Sequence, residues 1–293
     1  MSMKIKVAKW GDDLADMTLE FWKTLAIEVE MVEISDEIKN QPDLIFKNKI
    51  AFDFAFLEPL VGEAVVESAK EVLSEVKDLG WADILLRQQK HLWPKLINRH
   101  ALRLSVIQAA DDLDSHSVGY VTGKGPMARL AAAVLIQLGF ERLAIVSDSP
   151  ELVKQELSFI QRKYFGIQIH FLSESEMTMQ PNNGSIIINT ISHDKESDIL
   201  DDLPYLNYIK KQGLVVDLPF ATGPNQLIDE AAHVGMRVLS GVTVRGMRDF
   251  LLLEQVAEAQ AIQCPFELND YMKQWTAFHD VSLVTKNVTT QKT

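Results

Sequence analysis

Three short stretches set the terms for this chain: "LAIVS" (143–147), "SIIIN" (185–189) and "GLVVD" (213–217). Each is an unbroken apolar run and lacks the polar and apolar alternation of a half-exposed strand. A strand reads that way when helices cover both faces of its sheet. The surrounding pattern agrees, placing strands at 118–122, 143–147, 167–171, 185–190, 214–218 and 236–240. Helical periodicity falls between them at 126–138, 150–163 and 224–234. Strand and helix alternating over short connections imply βαβ units and a mostly parallel sheet. The fold class expected is therefore α/β, with a Rossmann-like doubly wound parallel sheet.

The first hundred residues also read as α/β, and as a smaller domain. "KIKVAK", "VEMVEI" and "AFDFAF" are strand-like, and a helix is expected from about Asp12 to Leu25. Val61, Ala64, Val65, Ala69, Val72 and Val76 recur at helical spacing and predict one amphipathic helix over 60–77. Residues 82–110 read as helical, with Pro94 expected to kink or break them. The polar stretch "DDLDSH" (111–116) suits a hinge. The expected division is 1–112 as an N-terminal substrate or interaction domain and 113–244 as the Rossmann-like domain. "RGMRDFLLLEQVAEAQAIQ" and "CPFELNDYMKQWTAF" read as two further helices, before a disordered tail, "TKNVTTQKT".

Composition narrows the function classes. A chain of 293 residues with 47% hydrophobic and 24% charged residues has the make-up of a soluble two-domain protein. The net charge of −12 disfavours nucleic acid, whose sequence-independent affinity comes from clustered Lys and Arg. No run approaches the roughly 20 apolar residues of a membrane span. The start "MSMKIKVAKW" has no apolar signal core, and the lone Cys264 cannot form an internal disulfide, so a cytoplasmic location is expected. Its seven histidines are scattered without ligand spacing, and no metal site is expected. A small-molecule ligand is the expected partner, with homodimerisation left open.

One stretch carries chemistry. "GYVTGKGPMARLAAAVLIQLGF" (119–140) runs from a strand through Gly123-Lys124-Gly125 into an alanine-rich helix. Gly123, Gly125 and Ala128 take the three small-residue places of a dinucleotide loop: a tight turn, a close approach of backbone to pyrophosphate, and close helix–strand packing. Pro126 and Met127 open the helix, whose amides and dipole would favour a diphosphate. The same pattern also serves as a plain tight turn before a packed helix. Asp148, after the next strand, can accept from a ribose 2′-hydroxyl and would repel a 2′-phosphate, which favours NAD over NADP. It can equally belong to the start of the helix at 150, where Ser149 and Pro150 are also start signals.

Beyond the loop, "GKGPMARLA", "IVSDS", "NTISHD", "DLPFATGPNQLIDEAAHVG" and "GVTVRGMR" resemble successive motifs of the shikimate and quinate dehydrogenase family over about residues 117–255. In that family the order is G-x-G-G-x-x-[RK]-A, N-R-T, N-A-T-P-x-G, D-x-x-Y-x-P-x-x-T-x-L-L-x-x-A-x-x-x-G, and G-x-x-M-L-x-x-Q. Asp217, Phe220 at the Tyr place, Leu227, Ile228, Ala231, Gly235 and Gly241 fall on its positions. The resemblance implies a hydride-transferring oxidoreductase acting on a small hydroxy or keto compound, with the last helices, over 245–285, packing back on the N-terminal domain. It adds Asn189, Thr190, Ile191, Asp217, Phe220 and Gly241 to the glycine loop and Asp148 as cofactor-binding candidates.

Departures from the family are as informative. Ser147-Asp148-Ser149 replaces the N-R-T whose arginine meets a 2′-phosphate, again favouring NAD. Ser192 and Asp194 replace Pro and Gly; Thr222 and Asn225 replace Pro and Thr; Val244, Arg245 and Arg248 replace Met, Leu and the substrate-contacting Gln. Where the family holds its substrate with a serine pair, this chain has "WGDDLADM". The family's N-V-T-x-P-x-K and N-T-D, which carry its catalytic Lys–Asp pair, are missing, and Leu57 and Glu58 stand where a lysine is wanted. That pair shuttles the hydroxyl proton. The catalytic residues are therefore unknown, and a substrate other than shikimate or a non-catalytic dinucleotide-binding sensor is implied. Stand-ins are Lys47, Lys49 and Asp53 near one strand, His193 as a loop proton donor, and Arg245 with Arg248 as an anion clamp. The loop also resembles that of glutamyl-tRNA reductases, which need an N-terminal catalytic cysteine; Cys264 is the single one here.

Overall fold

The computed structural model describes residues 3–11, 15–47, 50–193, 197–220 and 225–290. The chain divides into two compact units, Met1–His100 with Arg248–Phe278, and Ala101–Met247 with His279–Thr293.

The first unit is a mixed five-stranded sheet. Its elements are β1 (Lys4–Trp10), α1 (Ala15–Thr24), β2 (Glu28–Val32), α2 (Asp36–Asn40), β3 (Phe54–Leu57), α3 (Pro59–Ser68), α4 (Ser74–Leu79), β4 (Ile84–Gln88), β5 (His91–Lys95) and the start of α5 (Ile97–Ala109). The order is β2-β1-β3-β4-β5, with β1 parallel to β2 and β3, and β4 antiparallel to β3 and β5. All four residues of β3 are buried, so helices or loops must cover both its faces. Aromatic packing closes one side: Phe21 of α1 meets Tyr271 and Trp275 edge to face at 5.2 and 5.1 Å. The Trp22 indole donates to the Tyr271 hydroxyl at 2.9 Å, so the buried ring keeps its N–H satisfied.

The second unit is the fully parallel sheet that the apolar runs predict. It comprises β6 (Val118–Thr122), α6 (Pro126–Gln137), β7 (Arg142–Val146), α7 (Pro150–Glu156), α8 (Ser158–Lys163), β8 (Gln168–Leu172), α9 (Glu174–Thr178), β9 (Gly184–Asn189), α10 (Asp198–Asp202), β10 (Ile209–Asp217), α11 (Gln226–His233) and β11 (Arg237–Ser240). The helices α12 (Gly241–Ala259) and α13 (Leu268–Thr290) follow. Strand order is β11-β10-β9-β6-β7-β8, every pair parallel. Counted from β6, that is 6-5-4-1-2-3, the doubly wound order whose ligand crevice lies outside the carboxyl ends of the first and fourth strands. The chain is α/β, as expected.

Five sequence expectations are corrected. The helix predicted over 60–77 is two, because Ala69 is extended (ψ 134°) and Ser68 turns its hydroxyl back to the Ala64 carbonyl at 2.8 Å, competing with the next helical turn. Residues 84–95 are a hairpin and not a helix. Its two-residue turn is Gln89-Lys90, with Gln89 at φ 56°, and Pro94 sits in the edge strand β5, where a missing N–H is tolerated. The helix expected at 150–163 breaks at Leu157 into α7 and α8. α13 runs to Thr290, with no Gly or Pro over 268–290 to interrupt it, and takes in the first part of the tail expected to be disordered; residues 291–293 of that tail lie outside the described residues. The proposed hinge 111–116 lies in the second unit, where Asp114 accepts from the Ser117 hydroxyl and Lys210.

Candidate functional site

The carboxyl edge of the parallel sheet gathers the candidates. β6 ends at Thr122, and Gly123 turns the chain at φ 109°, where a side chain would be strained. A Cβ on Gly123 would also lie 2.3 Å from the Thr190 hydroxyl oxygen. Thr190 ties the two crevice strands together, since its amide and hydroxyl both donate to the Thr122 carbonyl, at 3.1 and 2.6 Å. Gly125 is the N-cap of α6 at φ 77°, and no atom lies within 4 Å of the Cβ it lacks. Room for a ligand atom at that Cα therefore exists. Pro126 occupies the first helical position and contributes no N–H; Met127 follows, and Ala128 is buried (1% exposed) against the sheet.

At the ends of β9 and β10 lies a hydrogen-bonded chain of side chains. The Thr122 hydroxyl donates to Asn189 Oδ1 at 2.7 Å, and the Ile191 amide donates to the same oxygen at 3.0 Å. Asn189 Nδ2 donates to Asp217 Oδ1 at 2.6 Å. The other carboxylate oxygen, Oδ2, receives Asn225 Nδ2 at 2.5 Å and faces His193 Nε2 at 2.7 Å. Asp217's side chain is 0% exposed, whereas His193's is 31% exposed. A buried carboxylate with N–H donors on both oxygens is a satisfied one. It also fixes the imidazole: an Nε2–H donated to Asp217 leaves Nδ1 as the acceptor.

Two further carboxylates engage the glycine loop. Lys124 Nζ bridges both oxygens of Asp148 at 3.1 and 3.0 Å, and this hydrogen bond holds the Asp148 carboxyl below the usual range. Ser149 takes the N-cap position of α7 without a side-chain cap bond. Glu156, the last residue of α7, accepts the Gly125 N–H at 3.0 Å through Oε2. Neither Lys124 nor Glu156 is marked by the glycine pattern, and Thr122 and Asn225 are equally silent in it. Asn225 could have been found as an N-cap before α11, which it is, accepting from Ile228.

No family model and no curated protein matches the sequence. Solved structures do match. Shikimate 5-dehydrogenase from Thermus thermophilus in complex with shikimate is 14% identical, with a TM-score of 0.70 over 95% of this chain and 99% of that one. The same enzyme in complex with NADP(H) and shikimate gives 15% and 0.67 over 94% and 99%. Quinate dehydrogenase from Corynebacterium glutamicum in complex with NAD gives 11% and 0.74 over 94% and 99%. The chain has the Rossmann-like, two-domain fold of the shikimate dehydrogenases.

Within that fold, the remaining candidates sort by surroundings. Phe220 lies beyond the end of β10 with its ring 4.8 Å from that of His279. Gly241 opens α12, where a Cβ would meet the Leu218 carbonyl oxygen at 2.3 Å. The anion clamp is not formed, because Arg248 is 2% exposed, bonded to Asp249 at 2.6 Å and laid 5.0 Å over the Phe56 ring. Lys47 pairs with Asp43, and Asp53 accepts the Lys6 amide at 2.7 Å, so both serve the first unit's local structure. Lys49, Asp12, Asp13, Asp194 and Thr222 lie outside the described residues. Burial pushes the Cys264 thiol up, the opposite of what a nucleophile needs. Among the described residues no acidic, histidine or cysteine cluster could hold a metal ion, and no helix is long and apolar enough to cross a membrane.

Proposed function

We propose that the chain is a nicotinamide dinucleotide-dependent oxidoreductase acting on a small hydroxy or keto compound other than shikimate. The observation that carries this is the Asp217–His193 pair at the carboxyl edge, beside a glycine loop with room over Gly125. Gly123, Gly125, Met127 and Ala128 would hold the diphosphate at the start of α6, and Asp148 the adenosine ribose. Asn189, Thr190, Ile191, Phe220 and Gly241 would line the rest. The bound dinucleotide would supply a hydride acceptor or donor. His193 would take the substrate's hydroxyl proton at Nδ1 while Asp217, held by Asn189 and Asn225, stabilises the imidazolium. This replaces the Lys–Asp pair that the sequence lacks. Relatives of this fold solved with NADP(H) and with NAD support a dinucleotide of either kind. A cytoplasmic enzyme fits the composition.

The test is NAD- and NADP-linked oxidation of a panel of small hydroxy acids and polyols, with titration of both dinucleotides by calorimetry. Turnover of at least one compound, falling about 10²-fold in His193→Gln, is expected. Binding without turnover across the panel would favour the second reading, a non-catalytic dinucleotide sensor, which Leu57 and Glu58 at the expected lysine place support. No heat with either dinucleotide would overturn both.

A further inference from the structure

We propose that Glu156 is an internal anion that competes with the dinucleotide diphosphate for the glycine loop and thereby sets cofactor affinity. The proposal rests on the dinucleotide reading above. A diphosphate at the start of α6 would use backbone N–H groups, and this loop is short of them. Pro126 has none, and the Gly125 N–H is already given to Glu156 Oε2 at 3.0 Å. The helix's positive end favours that carboxylate for the same reason that it would favour a phosphate. The loop's own cation is engaged as well, since Lys124 bridges both oxygens of Asp148.

Local structure brings Glu156 there. A continuous helix over 150–163 would carry the chain past Glu156 in mid-helix; instead α7 ends at this residue, and Leu157, buried in the core, starts the turn into α8. Glu156 is partly buried and its partner is a backbone amide 31 residues earlier, so the contact is tertiary and not a feature of its own helix. For a diphosphate to reach the Gly125 amide, the carboxylate must leave, because two anions cannot share one N–H donor and repel each other at that distance. Cofactor entry is thus an exchange of one anion for another, and its net affinity is the difference between them.

The experiment is calorimetric titration of NAD, NADP and inorganic pyrophosphate into wild type, Glu156→Gln, Glu156→Ala and Glu151→Ala. Glu151 is on the same helix with its side chain 86% exposed, which controls for net charge alone. Removing the competitor should tighten all three ligands about tenfold in Glu156→Ala, the order of one charge-assisted hydrogen bond. Glu156→Gln keeps an acceptor without the charge and should fall between, and Glu151→Ala should match wild type. Unfolding midpoints of the four proteins check that each is folded. Equal or weaker binding in both Glu156 variants, with wild type binding NAD, would overturn the role of Glu156 and leave the dinucleotide reading standing. Absence of binding in all four proteins would overturn both.

Discussion

Each unit of this molecule buries an aspartate among hydrogen-bond donors, yet the two clusters have opposite access to water. In the first unit, Asp249 takes the Arg248 guanidinium at 2.9 and 2.6 Å on one oxygen and the Thr18 hydroxyl at 2.6 Å on the other. Its partner is sealed, with Arg248 2% exposed beneath Phe56. In the second unit, Asp217 is equally buried but ends in His193, which reaches solvent. Burial of a carboxylate is therefore not what marks a site. What differs is whether the chain of donors terminates in a group that can exchange a proton with something outside.

The sealed cluster should dominate stability. Asp249→Ala removes the carboxylate oxygen that takes two N–H groups of the buried Arg248 guanidinium and should cost about 3–5 kcal/mol in urea unfolding. A loss below about 1 kcal/mol would mean that water reaches Arg248 and that the contrast is false. Asp83 belongs to the same sealed environment: it caps α5 by accepting from the Ile97 and Asn98 amides at 2.8 and 2.6 Å. Burial pushes its carboxyl up to about 6, against the pull of the Arg248 charge and those amides. Between the ordinary carboxyl value and pH 6 the folded chain holds a proton that the unfolded chain has released. Its stabilising effect is thus full below about pH 4 and lost as pH rises through 6, a swing of roughly 2–3 kcal/mol. Unfolding free energies at pH 4 and 7.5 should show that slope, and Asp83→Asn should flatten it; identical slopes would remove Asp83 as its source.

The open cluster should behave the other way. Asp217→Asn disturbs three donors, of which Asn189 is buried, and should cost about 1–3 kcal/mol. His193→Gln, at a partly exposed position, should stay within about 0.5 kcal/mol of wild type while any NAD(P)-linked turnover falls. If His193→Gln instead unfolds the protein as readily as Asp249→Ala, the histidine is a structural clasp and the two clusters are alike.

How much of this was legible in the sequence follows the same division. The parallel sheet was, because "SIIIN" and "GLVVD" bury both faces and leave no other period to read. The first unit was less so. The hairpin at 84–95 turns on Gln89 at positive φ, where Asn or Gly would have announced it, and a proline on an edge strand looks like a helix breaker. The glycine loop and Asp217 stood out by spacing. Their partners did not, because Glu156 meets Gly125, Lys124 meets Asp148 and Asn225 meets Asp217 only through folding across 8 to 31 residues. Arg248 misled for a related reason: helical spacing put it beside Arg245 but could not say that Asp249 and Phe56 enclose it.

The smallest expected effect concerns which dinucleotide the loop prefers. Asp148 alone would repel a 2′-phosphate, but Lys124 neutralises it, so the sequence argument for NAD loses much of its force in the folded chain. Both side chains are largely in water, at 47% and 65% exposure, and such a pair is worth about 0.2–1 kcal/mol. Lys124→Ala should therefore shift the ratio of NADP to NAD dissociation constants toward NAD by a factor of roughly two to five. Asp148→Ala, which frees the lysine, should shift it toward NADP. Both shifts should shrink in 0.5 M salt, where screening shortens to about 4 Å. An unchanged ratio in both variants would place Asp148 outside the ribose pocket and leave its carboxylate as a tether for the loop, with cofactor choice made elsewhere along the edge.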